Sequence, residues 1–109
     1  MQKHTFSVPY SVVEKLPAKE RFLYYELCRL AAPRNYFDTE FKISVPKGGL
    51  ISSTRRLSNI IDYSYSLTSE LIDNLVEKKL IEMTPIDTGS KVPTFFMIQV
   101  FEVYAPSHS

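Results

Sequence analysis

The stretch Ser52 to Glu82, SSTRRLSNIIDYSYSLTSELIDNLVEKKLIE, holds two apolar-periodic segments separated by the polar, tyrosine-bearing run Asp62-Tyr63-Ser64-Tyr65-Ser66. Ser53 is placed to cap a first helix that carries Thr54, Arg55 and Arg56 in its opening turn and turns Leu57, Ile60 and Ile61 inward. Ser64 is placed to cap a second helix whose inner face is Thr68, Leu71, Ile72 and Leu75. Tyr65, Ser66, Ser69, Glu70 and Asp73 are then left pointing outward. The break is either an ordinary loop between two core helices or the turn of a helix pair that reads DNA. The outward face bears on that choice, because Tyr65, Ser66 and Ser69 are not the long charged residues of a solvated surface. Hydroxyls of this kind bond phosphates and base edges. Arginines in a first turn oppose the helix dipole, a placement that has a reason where an anion is expected.

Upstream, Phe22, Leu23, Leu27, Leu30 and Ala31 recur at three- and four-residue spacing and predict a helix starting near Pro17 and stopped by Pro33. Lys19, Glu20, Glu26 and Arg29 fall off that stripe. Phe41, Ile43 and Val45 alternate with Lys42 and Ser44 as in a half-buried strand, and Pro46-Lys47-Gly48-Gly49 reads as a turn returning through Leu50-Ile51, a small hairpin. Downstream, Leu80–Ile86 and Thr94–Tyr104 are rich in β-branched and aromatic residues, and DTGSKVP between them is a flexible tip, so a second hairpin is expected. Residues 1–15 read as an extended lead-in, 16–105 as one domain and 106–109 as a frayed tail. The order predicts an α+β domain in which a small antiparallel sheet covers one end of a three-helix core.

The chain has 109 residues, 44% hydrophobic and 23% charged, which bounds it to one folded domain able to bury its own core. Cys28, the single cysteine, sits among Leu27, Leu30 and Ala31 and is expected to be a buried thiol in a reducing cytoplasm. No apolar run reaches the roughly 18 residues of a membrane span. Both histidines, His4 and His108, lie in the tails, with neither metal-ligand spacing nor a glycine-rich phosphate loop elsewhere. No catalytic residue, metal or cofactor is therefore expected. The net charge of +1 supplies little of the basic footprint that phosphate binding usually leaves.

Without a gap, LSNIIDYSYSLTSELIDNLVEKKLIE resembles the pattern of bacterial winged-helix regulators, ending in a leucine-rich L-x-x-L-x-x-x-x-L-I. The flanks FSVPYSVVEKLPAKERFLYYELCRLA and ISVPKGGLISSTRRLSNII resemble the amino-terminal winged-helix domains of phage replisome organisers and DnaD-like replication initiators, so the likeness covers roughly Phe6 to Tyr104. It implies a winged helix: a three-helix core with a helix-turn-helix and a carboxyl-terminal hairpin wing. The sequence departs from the pattern where Glu70 and Asp73 stand among the base-facing positions, and where Asp62 and Lys79 replace glycines.

The resemblance implies double-stranded DNA binding, in a replication initiator or a transcriptional regulator of a bacterium, phage or mobile element. The candidate contacts are Thr54, Arg55 and Arg56 for phosphate, Tyr63, Tyr65, Ser66 and Ser69 around the turn and recognition helix, and Lys91 with Ser90 in the wing tip. Tyr63 and Tyr65 stand evenly between capping the core and touching DNA; Tyr24, Tyr25 and Tyr36 are read as packing at the edge of the core. A homodimer or a replication or transcription partner is expected to raise affinity, with the lead-in or Phe101 and Tyr104 as surfaces. The near-neutral charge and acidic second helix leave open a different class, a winged helix that binds protein without useful DNA affinity.

Overall fold

The structure is a computed structural model that describes residues 13–89 and 91–101. Among the described residues, three helices and five strands form an α+β domain: α1 (Ala18–Leu30), β1 (Tyr36–Asp38), β2 (Ile43–Val45), β3 (Gly49–Ser52), α2 (Thr54–Ile61), α3 (Tyr65–Glu77), β4 (Ile81–Pro85) and β5 (Phe96–Val100). The expected extended lead-in lies mostly outside the described residues. Its last part, Val13–Leu16, is instead a tight turn in which the Leu16 N–H donates to the Val13 carbonyl at 3.0 Å, burying both side chains.

Pro17 caps α1, where its missing N–H costs nothing. The buried stripe of α1 is Glu20, Leu23, Tyr24, Leu27 and Cys28, and Ala31 continues it. This rotates the expected stripe by part of a turn. Phe22 is 42% exposed, Tyr24 is wholly buried in the core, and Glu20, expected outside, is only 5% exposed. The carboxylate is tolerated because the Asn74 amide donates to it at 3.0 Å and the Lys78 ammonium closes an ion pair on it, tying α1 to the end of α3.

Both serine caps form as expected. The Arg56 N–H donates to Ser53 Oγ at 3.0 Å and the Leu67 N–H to Ser64 Oγ at 3.1 Å, each a contact worth about 1 kcal/mol. Asp62 and Lys79 adopt left-handed backbone, with φ 59° and 62°, at the places where glycine was noted as missing. Each closes a helix: the Tyr63 N–H reaches the Ser58 carbonyl at 3.1 Å, and the Leu80 N–H reaches that of Leu75 at 3.1 Å. Leu57 and Ile61 are buried, but Ile60, expected inward, is 40% exposed.

The expected first hairpin is wrong in its partners. β2 pairs antiparallel with β1, a strand the sequence pattern did not show, whereas β3 joins a second sheet of order β3-β5-β4. Phe41 lies in the turn between β1 and β2 rather than in a strand. Gly48, at φ 84°, takes the third position of a turn closed by the Gly49 N–H on the Pro46 carbonyl at 2.9 Å. That turn class splays its flanking strands instead of pairing them. Gly49 admits no side chain cheaply, because a Cβ there would meet the Pro46 carbonyl oxygen at 3.0 Å. The second hairpin forms as expected, β4 against β5, and the Ile86 N–H adds one further bond to the Phe95 carbonyl at 2.9 Å. Tyr104 and the 106–109 tail lie outside the described residues.

Leu23, Leu27, Leu57, Leu71, Leu75, Ile81 and Ile98 make one core between the helices and the three-stranded sheet. Cys28 is wholly buried in it, and burial pushes its thiol up to about 11, against a smaller lowering by a bond with Tyr24. Among the described residues, no helix is long and apolar enough to cross a membrane.

Two outcomes follow from this packing. Glu20→Ala strands Lys78 and Asn74 and is expected to lower stability by about 1–3 kcal/mol in urea unfolding, whereas Glu20→Leu with Lys78→Met recovers most of it. Iodoacetamide at pH 8 is expected to leave Cys28 unmodified in the folded chain and to alkylate it at the unfolding rate, since both the thiolate and its access are suppressed. Modification faster than unfolding contradicts the burial.

Candidate functional site

Because β5 pairs with β3 on one side and β4 on the other, the β4–β5 hairpin stands beside the start of α2 and the length of α3. The three elements enclose an open groove of about 1190 Å³. Thr54, Arg55 and Arg56 line it from α2, Tyr65, Ser69, Asp73 and Val76 from α3, and Met83, Val92, Pro93, Phe95 and Phe96 from the hairpin.

Two arginine–aromatic stacks shape one end. The Arg55 guanidinium lies 5.2 Å from the centre of the Tyr65 ring, tying the start of α2 to the start of α3. The Arg56 guanidinium lies 5.4 Å from the Phe95 ring, whose other neighbour is Phe41 at 5.1 Å between centroids. Phe95 thus joins the hairpin to α2 and to the β1–β2 turn. Such stacks are each worth about 0.5–1 kcal/mol at exposed sites, enough to order a surface loop. Both arginines remain exposed, and the ion pairs seen among the described residues, Arg29 with Glu26 and Lys78 with Glu20, lie elsewhere. Their charge is therefore open to an external anion. In the first turn of α2, the N–H groups of Thr54 and Arg55 have no acceptor among the described residues; the Ser53 cap takes the N–H groups of Arg56 and Leu57 instead.

The expected contacts divide. Thr54, Arg55, Arg56, Tyr65 and Ser69 come together on the groove. Tyr65 is 51% exposed and Ser69 half-buried, so the hydroxyl-bearing side of α3 is free, as expected. Ser66 is exposed but lies outside the groove lining, and Lys91 is exposed at the hairpin tip, also outside it. Tyr63 is half-buried and packs on Phe22 at 5.9 Å, on the core side of the turn. Ser90 lies outside the described residues.

The sequence pattern did not reveal the apolar floor. Ile60, Ile72, Val76, Met83 and Phe96 run along the groove, with Ile60 40% and Val76 38% exposed. The signal was in the adjacent apolar pairs Ile60-Ile61 and Leu75-Val76. Neighbours on a helix diverge by about 100°, so one of each pair has to leave the core stripe. Asp73 lines the far end of the groove, and Glu70, Asp73 and Glu77 are exposed at three- and four-residue spacing along α3.

Comparison of the chain with protein-family models, with curated proteins and with solved structures finds no significant match.

Phe95 is the joint that seats the hairpin. Phe95→Leu keeps apolar bulk but removes both ring contacts, and the Ile86 amide is expected to exchange hydrogen roughly two- to fivefold faster, as loss of about 0.5–1 kcal/mol implies. Unchanged exchange at Ile86 shows that the stacks do not hold the hairpin.

Proposed function

We propose that the chain is a double-stranded DNA-binding domain of the winged-helix kind, acting in the cytoplasm as a replication-initiator module or a transcriptional regulator. In this reading α3 is the recognition helix and meets the major groove with its amino-terminal end, where Tyr65, Ser66 and Ser69 offer hydroxyls to base edges and phosphates. The first turn of α2 lies across the backbone, its free N–H groups and the Arg55 and Arg56 forks donating to phosphate. The β4–β5 hairpin is the wing, and Lys91 at its tip reaches the neighbouring groove.

The observation that supports this best is the convergence of Arg55 and Arg56, without acid partners, with the exposed hydroxyl end of α3 on one face. The acids Glu70, Asp73 and Glu77 share the rest of the exposed side of α3 with Val76 and repel a backbone running along it. Only the amino-terminal turn of α3 is therefore suited to the duplex. A single domain with so few cations binds weakly, so a second copy or a replication or transcription partner supplies the remaining affinity.

A second reading, a winged helix that binds protein instead of DNA, is favoured by one specific feature: the exposed apolar floor of the same groove.

The two readings differ in their response to salt. Anisotropy of a labelled random-sequence duplex is expected to rise with protein at 50 mM salt and to weaken steeply by 200 mM. Arg55→Ala with Arg56→Ala is expected to reduce the slope of log affinity against log salt by about two, one phosphate contact for each arginine. A duplex that shows no binding at low salt and high protein concentration removes the DNA reading.

A further inference from the structure

The DNA reading uses the arginines and hydroxyls at one end of the groove and leaves the rest of it without a task. That remainder is largely apolar: Ile60 and Val76, the half-buried Met83 and Phe96 and the buried Ile72 form the floor, and Val92, 72% exposed, stands on the rim. Asn59, Asp73 and Thr94 are its polar members. A phosphate backbone gains nothing from such a surface. Partly exposed apolar side chains beside open charge are what a protein-docking groove presents.

The dimensions narrow the occupant. From Tyr65 to Val76 the groove follows α3 for roughly 16 Å, at 1.5 Å per helical residue. That length takes about five extended residues, or about three turns of a helix. A volume of about 1190 Å³ exceeds the roughly 300–1,000 Å³ typical of pockets that enclose small ligands. Charge then fixes the direction. Arg55 and Arg56 present two open cations at one end, while Asp73 lines the other and Glu77 lies one turn further along α3. An acid on the occupant is attracted at the first end and repelled at the second.

We infer that this groove docks a short peptide segment of a partner protein, with apolar side chains set against Ile60, Val76 and Phe96 and an acidic residue at the Arg55–Arg56 end only. The same two arginines serve peptide and phosphate, so the two ligands exclude each other. This goes beyond the DNA reading and stands or falls separately from it.

The test begins with selection of a random twelve-residue display library on the whole chain, counter-selected against Val76→Arg, which puts a cation on the floor. Ile60→Arg takes its place if that variant loses the helical circular dichroism of the parent. Selected peptides are then synthesised, labelled and titrated. The expected winners pair apolar residues with an acid at one end and weaken about tenfold or more against Arg55→Glu with Arg56→Glu. They are also displaced by any duplex that binds the chain.

Four results overturn the inference. These are no peptide surviving counter-selection, winners that are basic, winners indifferent to the arginine reversal, or sedimentation showing that a second copy of the chain fills the groove and leaves it on Val76→Arg. Duplex binding is measured on the same variants without peptide. A parent chain that binds duplex but captures no peptide defeats this inference and spares the DNA reading, and a parent chain that captures peptide but binds no duplex separates them the other way.

Discussion

One strand holds both ends of the α2–α3 pair. β5 bonds on one edge to β3, which leads through Ser52 and the Ser53 cap directly into α2, and on the other to β4, which leaves α3 through Lys79 and Leu80. Backbone bonds in a three-stranded antiparallel sheet set strand position to within one residue, because a slip by one turns every side chain to the wrong face. Ile98 and Val100, buried at the middle of that sheet, make such a slip costly. The start of α2, the length of α3 and the β4–β5 hairpin are therefore fixed relative to one another by a single register. The groove is what remains between them.

The helices meet that constraint with local chemistry. Ser53 and Ser64 settle where α2 and α3 begin, and left-handed residues at Asp62 and Lys79 settle where they stop. Neither left-handed residue is a glycine, and an L side chain in that conformation costs roughly 1–2 kcal/mol, somewhat less for Asp. The cost is offset because each stop satisfies carbonyls at a helix end and turns the chain onto its next partner. α1 is held differently. Its buried carboxylate, Glu20, takes bonds from Asn74 and Lys78, so the helix is oriented by a polar contact as well as by Leu23, Tyr24 and Leu27. A buried acid with only one such arrangement available favours that orientation over rotated alternatives.

The exposed side of the α2–α3 pair is chemically mixed along its length. Open arginines and hydroxyls gather at one end, an apolar floor runs through the middle, and acids follow the carboxyl-terminal turns of α3. With a net charge of +1, the chain has no broad positive field to draw in nucleic acid from a distance. Whatever binds here is recognised at short range, by the two arginine forks and by shape. The stacking of those forks on Tyr65 and Phe95 keeps them extended over the groove rather than free in solvent, which reduces the entropy lost when they take a partner.

Local chemistry in the sequence was enough to determine where most elements begin and end. Pro17, Ser53 and Ser64 as starts, the three-four periodicity of the helices, the Asp62 break and the turn-bearing 87–93 segment all act within a few residues, so they are legible without a fold. The free hydroxyl end of α3 and the placement of Arg55 and Arg56 belong to the same class. Tertiary structure decided the rest, because each case depended on a partner distant in the chain. β3 was given to β5 instead of β2 because β5, about 45 residues away, bonds to it. Glu20 went inside because Lys78 and Asn74 came to meet it. Ile60 and Val76 stayed outside because the core had room for only one member of each apolar pair. The apolar groove follows from that last choice: helical periodicity shows which residues compete for the interior, and only the packing of the sheet against α2 and α3 shows which of them lose.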